Sequence, residues 1–180
     1  QSEALYALFS QLEREVDPTE KTKLKLLSHT LREFRLAGVS LPTRARARFK
    51  TLVKALAQHQ ASFEQNLMDA TDAFQHHEAD DTKLSGVPET VLRRARDLAE
   101  AHSQPGWMLT LDPPTYLAIM AHADSEELRS RYYEAWVTRA SDQGPLAGRW
   151  DNRGLIEDIT RLRHESATLL GFDNYAELSL

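Results

Sequence analysis

Cysteine is absent from the 180 residues, which rules out disulfides and every thiolate-ligated metal site. Basic charge is not in excess either. Against 22 Lys and Arg stand 27 Asp and Glu, a formal net charge of −5, so the sequence lacks the positive field expected of a general nucleic-acid binder. No apolar run reaches the roughly 20 residues that a membrane-spanning helix needs, and no signal-peptide pattern opens the chain. These absences leave a soluble cytoplasmic protein as the expectation, with neither nucleic acid nor membrane among its partners. What is present suffices for one helical domain with a real core: 41% of residues are hydrophobic and 27% charged. Gln1 is not a natural initiator and the chain starts inside an apolar pattern, so both ends read as cut.

Helical spacing dominates the first half. Leu5, Leu8, Phe9 and Leu12 form a short stripe ending near Val16. Asp17-Pro18-Thr19-Glu20 then predicts a helix start, with Asp17 as N-cap and Pro18 at the first helical position. That helix carries Leu24, Leu27, Leu31 and Phe34 on one side and ends at Gly38. So short a connection predicts an antiparallel pair. Pro42 opens the longest element, running to about Ala70 or Phe74, with Phe49, Leu52, Leu56, Phe63, Leu67 and Ala70 at three-four spacing. At 1.5 Å per residue it reaches on the order of 45 Å. Arg44, Arg46, Arg48, Lys50 and Lys54 crowd its first turns, where the helix dipole disfavours cations. They read either as a basic patch or, better, as a solvated face paired with acidic neighbours.

A polar interval from Asp72 to Gly86 holds His76-His77-Glu78 and Asp80-Asp81, the cluster that most resembles metal ligands. Neighbouring side chains in an extended segment point to opposite faces, so a short strand over 74–78 is the alternative. Its natural partner is 107–111, bounded by Pro105-Gly106 and Asp112-Pro113-Pro114. Between them Pro88 opens a helix bearing Val91, Ala95, Leu98 and Ala99. Asp112 starts a helix holding Tyr116, Leu117 and Met120. Asp124 and Glu127 form a capping-box-like start for one with Leu128, Tyr132, Ala135 and Trp136 facing the core. The loop from Arg139 to Trp150 is rich in Gly, Pro and Asp, and an arginine flanked by Asp142 and Asp151 there either forms a loop-ordering ion pair, the favoured reading, or faces a substrate channel. Asp151 or Asn152 then caps a helix striped by Leu155, Ile159, Leu162, Ser166 and Leu169 and stopped by Gly171. Asp173 or Asn174 caps a last element led by Tyr175 and Leu178. The fold class is therefore mainly α, an antiparallel bundle-like arrangement of several long helices with one small two-stranded β element.

Thr138-Arg139-Ala140-Ser141, Gly148, Trp150-Asp151-Asn152, Leu162-Arg163-His164-Glu165 and Leu170-Gly171-Phe172-Asp173-Asn174-Tyr175-Ala176 together resemble the oligopeptidase A branch of the thimet oligopeptidase and neurolysin family. Leu31 to Val39 with Leu41-Pro42, and Leu109 to Asp112 with Pro114 and Tyr116, are similar to further signatures of that family. The resemblance implies a zinc metallopeptidase acting on short unstructured peptides. It places residues 1–180 as a single helical region in the family's N-terminal half, walling a channel, with the catalytic domain as its partner in cis. The family's zinc site is H-E-x-x-H, two ligands one helical turn apart with a glutamate that activates water. The nearest match here is His164-Glu165-Ser166-Ala167-Thr168, with threonine at the second ligand position.

No catalytic, cofactor-binding or metal-ligating residue is therefore assigned: zinc belongs to the parent enzyme, and the fragment is expected to be inactive by itself. Two other readings stand beside this one. A free-standing helical interaction module is the first, with self-association of the exposed face as its artefactual counterpart. An independent metal site on His76, His77, Glu78 and Asp80 is the second.

Overall fold

The computed structural model describes residues 3–180. Eight helices are formed among them: α1 (Glu3–Glu15), α2 (Lys21–Leu36), α3 (Thr43–Asp72), α4 (Glu89–Ala101), α5 (Pro113–His122), α6 (Glu126–Val137), α7 (Arg153–Leu169) and α8 (Tyr175–Ser179). Strands β1 (Gln75–Glu78) and β2 (Trp107–Thr110) pair antiparallel, with Gln75 opposite Thr110 and Glu78 opposite Trp107. The mainly α class and the small β element agree with the sequence pattern. Two compact units result. One takes the chain up to His59 with Glu157–Leu180, the other Gln60–Ile156.

In the first unit, Tyr6 and Phe9 of α1 both meet the ring of Phe34 near the end of α2, centroids 6.0 Å apart in each case. Contact between one helix's start and the other's end is what an antiparallel hairpin requires. No residue of α1 is buried; Leu5, Leu8 and Leu12 of the anticipated stripe stay exposed. On α2, Leu27 and Leu31 are buried. Its start departs from expectation: Asp17 does not cap it. The Asp17 carboxylate accepts the N–H and hydroxyl of Thr19 instead, so Pro18 and Thr19 form a turn and the helix begins only at Lys21, behind a Glu20 without a side-chain cap. The far end obeys the sequence. Gly38 takes φ +77°, its N–H donates to Arg35 O, and Val39 N–H donates to Phe34 O. This is a Schellman turn, which satisfies carbonyls that the helix leaves open. α7 ends the same way, with Gly171 at φ +91° and the N–H groups of Gly171 and Phe172 donating to Thr168 O and Ala167 O. Asn174 then caps α8 by accepting from Glu177 N–H.

The second unit is built on a contiguous core that includes Phe74, Leu109, Leu111, Ile119, Leu128, Tyr132 and Ala135. Tyr132 is fully buried, its ring edge-on to Phe74 at 5.4 Å, a geometry aromatic quadrupoles favour. Its hydroxyl has no hydrogen-bond partner among the described residues. Asp112 caps α5 as read, accepting the N–H of Thr115 and the hydroxyls of Thr110 and Thr115. Leu117 does not face inward: it is 63% exposed, and Thr115 and Ile119 are the buried residues of that helix. α6 is capped one residue later than expected, by Ser125 accepting Leu128 N–H, while Asp124 accepts from the Ser85 hydroxyl and Glu127 reaches toward Arg131.

Candidate functional site

The histidine and glutamate nearest a zinc motif do not converge. On α7, Glu165 is held by Arg48, whose Nε and Nη2 donate to its two oxygens at 2.7 and 2.9 Å. His164 is exposed. Thr168, at the position of the second ligand, donates its hydroxyl to His164 O at 3.0 Å. A zinc ion needs three or four converging donors, and this helix offers one imidazole, so α7 does not fit the metal.

The β1 cluster fails for the reason pleating gives. His76 and His77 face opposite sides of the sheet. The His77 Nε2 sits against Pro105 O. His76, with a side chain only 10% exposed, lies between Arg131, whose Nη1 is 3.1 Å from its Nδ1, and Glu78, 3.7 Å from its Nε2. Lys83 approaches Glu78 at 3.8 Å. Burial, then the Arg131 guanidinium, hold the His76 ring below the usual histidine range, outweighing Glu78. The approach to Glu78 is therefore that of a neutral imidazole near pH 7. Asp80 is occupied by Thr82, accepting its N–H and hydroxyl. Among the described residues no three His, Cys, Asp or Glu side chains are placed to hold a metal ion.

The basic start of α3 is partly paired. Arg48 grips Glu165, and Arg46 pairs with Glu3 while donating to Leu41 O. Arg44, Lys50 and Lys54 stand exposed.

The 138–152 loop is ordered, but by a different arginine from the one expected. Arg139 makes no pair with Asp142 or Asp151. Its guanidinium lies over Trp136, 3.4 Å from the ring centroid, while Nε donates to Trp136 O and Nη1 to the Thr71 hydroxyl at 3.2 Å. Trp136 stacks in turn on Tyr116, 4.3 Å away and 11° from parallel. A cation on an aromatic face is satisfied without a carboxylate. Both aspartates go to Arg153, at 2.7 Å each. Asn152, anticipated only as a cap, is a buried tie: it donates to Phe63 O and accepts from Asn66 Nδ2, and its N–H closes the loop onto Ala140 O. Only its place beside Asp151 marked it in the sequence.

Cavities also open elsewhere among the described residues. One of about 390 Å³ lies beside α4 and β2, lined by Val91, Arg94, Leu98 and Met108 among others. One of about 250 Å³ lies against Leu67, Met68, Pro113 and Arg139. In the first unit, about 380 Å³ opens where α2 and α7 end. None brings together a nucleophile, a base and a group to orient it. No described helix is long and apolar enough to cross a membrane.

Comparison with known proteins supplies what the side chains do not. Residues 119–180 match Peptidase family M3. The chain is 44% identical over 156 residues to oligopeptidase A of Salmonella typhimurium, covering 87% of this chain and 23% of that protein. It is 40% identical over 183 residues to oligopeptidase A of Escherichia coli, covering 100% and 27%. An organellar oligopeptidase A of Arabidopsis thaliana is 32% identical over 190 residues, covering 100% and 23%. The chain thus spans about a quarter of the length of these relatives.

Proposed function

From the premise that this chain is an oligopeptidase A-like stretch of the M3 peptidases, we propose that it is one region of a zinc-dependent oligopeptidase of the cytoplasm that hydrolyses short peptides. The observation carrying this is identity at 40% sustained along the whole chain to an oligopeptidase A. The region 1–180 acts as a helical wall of the channel leading to the metal. Its part is selection by access: a wall of this kind admits an extended peptide and turns away a folded protein. Zinc and the residues that hold it belong to sequence outside these 180 residues, since neither the α7 histidine nor the β1 pair can gather a ligand set. The catalytic region is then this wall's partner in cis.

Two measurements test the reading together. The chain by itself, supplied with zinc, should leave an internally quenched peptide uncut, whereas the longer protein carrying H-E-x-x-H should cut it and spare a folded substrate of equal sequence. Zinc-dependent turnover by the 180 residues alone would contradict the assignment, as would a reading frame that ends without that motif.

A further inference from the structure

The cavity at the ends of α2 and α7 has no place in the peptidase reading, and its chemistry is one-sided. Its walls are Leu36, Leu41, Leu170 and Phe172, with exposed Arg32 and Arg35 as the charged lining residues. Among the described residues no Asp or Glu lines it. Three residues apart on one helix, the two arginines share a face. Neither side chain has a hydrogen bond, ion pair or ring contact among the described residues, unlike Arg46 and Arg48, which are both engaged. Their place in the last turns of α2 suits the helix dipole. That explains why they are cations but not why both border one apolar hollow.

The walls are also fixed. Each is a Schellman turn, and two of the stretches that carried the sequence resemblance, 31–42 and 170–176, meet here. A preformed hollow with apolar walls and two uncompensated guanidinium forks matches a ligand that presents a carboxylate and an apolar group together. We propose that this cavity captures the carboxyl terminus of a peptide whose last side chain is apolar. In such a residue the α-carboxylate and the side chain share one Cα, so both fit a space of about 380 Å³. An internal acidic residue is less apt, because in an extended segment its apolar neighbour points the other way. The apolar side chain enters between Leu41 and Phe172, and the carboxylate meets Arg32 and Arg35. This capture needs neither metal nor turnover and stands apart from the peptidase assignment.

Fluorescence anisotropy on the 180-residue chain tests it with three labelled tetrapeptides: one ending in phenylalanine as the free acid, the same peptide as its amide, and an amide with glutamate before the phenylalanine. The free acid should bind at least about tenfold more tightly than either amide, with the advantage shrinking as salt is raised. Arg32→Gln with Arg35→Gln should abolish that advantage while leaving the circular dichroism unchanged, since both side chains are exposed. Equal binding of acid and amide overturns the proposal. So does no binding of any peptide, a match by the internal glutamate, or an advantage that survives in the double variant.

Discussion

His76 shows how one residue's surroundings decide its chemistry. In a list of residue types it is half of a histidine pair beside acids. In the fold it is a nearly buried neutral ring beside Arg131, Glu78 and Lys83, with His77 next to it on the opposite face, and its affinity for a proton is lowered by burial and by the guanidinium. The sign of the consequence follows. Below the ordinary histidine value of 6.5, the unfolded chain takes up a proton that the folded chain refuses, so stability falls as pH drops from there through the lower folded value. Urea denaturation at about pH 7.5, 6 and 5 should show that loss, and His76→Gln should flatten it across this window. An unchanged slope in the variant would remove His76 from the account. Arg139 teaches the related lesson about partners. Charge and proximity in sequence pointed to Asp142 and Asp151, but an arginine can be satisfied by a ring face and two neutral oxygens. That choice is made by tertiary packing on Trp136 and Thr71, which no local pattern encodes. Arg153, two residues beyond Asp151, took both carboxylates.

Among the elements, stops were more legible than starts. A glycine at positive φ is a backbone requirement, so Gly38 and Gly171 marked the ends of α2 and α7 correctly. The side-chain oxygen of an N-cap can serve several neighbours. Asp17 served a turn, and Asp124 went to Ser85, leaving the cap of α6 to Ser125. The β pair was readable because turn residues bound β2 on both sides. α5 was not: in PPTYLAIMAH apolar residues stand on every side, so periodicity cannot tell Leu117 from Ile119. The two glycine stops separate backbone strain from crowding. A Cβ on Gly38 would lie 2.6 Å from the buried Phe49 ring, whereas one on Gly171 would meet nothing within 4 Å. Gly38→Ala should therefore cost roughly 2–4 kcal/mol, and Gly171→Ala about 1 kcal/mol. Chemical denaturation of both variants checks the order, and equal losses would mean that Phe49 moves aside freely.

Across the whole molecule, fold and family likeness were legible by different routes. Patterning alone carried the helices and the small sheet, because burial follows periodicity. No arrangement of side chains carried a function: the β1 histidines, the loop arginine, Arg46 and Arg48 are held by ordinary structural partners, and Arg44, Lys50 and Lys54 stand exposed. What identified the chain was motif order along its length, a property of descent that leaves no local chemical trace here. One internal detail still has a use. The phenol of Tyr132 is sealed in the second unit's core, and burial, then the Asp112 charge, push its ionisation far above the ordinary tyrosine range. Of the five tyrosines, this one stays protonated in alkali for as long as that core is closed. A late step in the ultraviolet absorbance of tyrosinate would then act as a built-in optical gauge of when the second unit opens, with no dye or label attached.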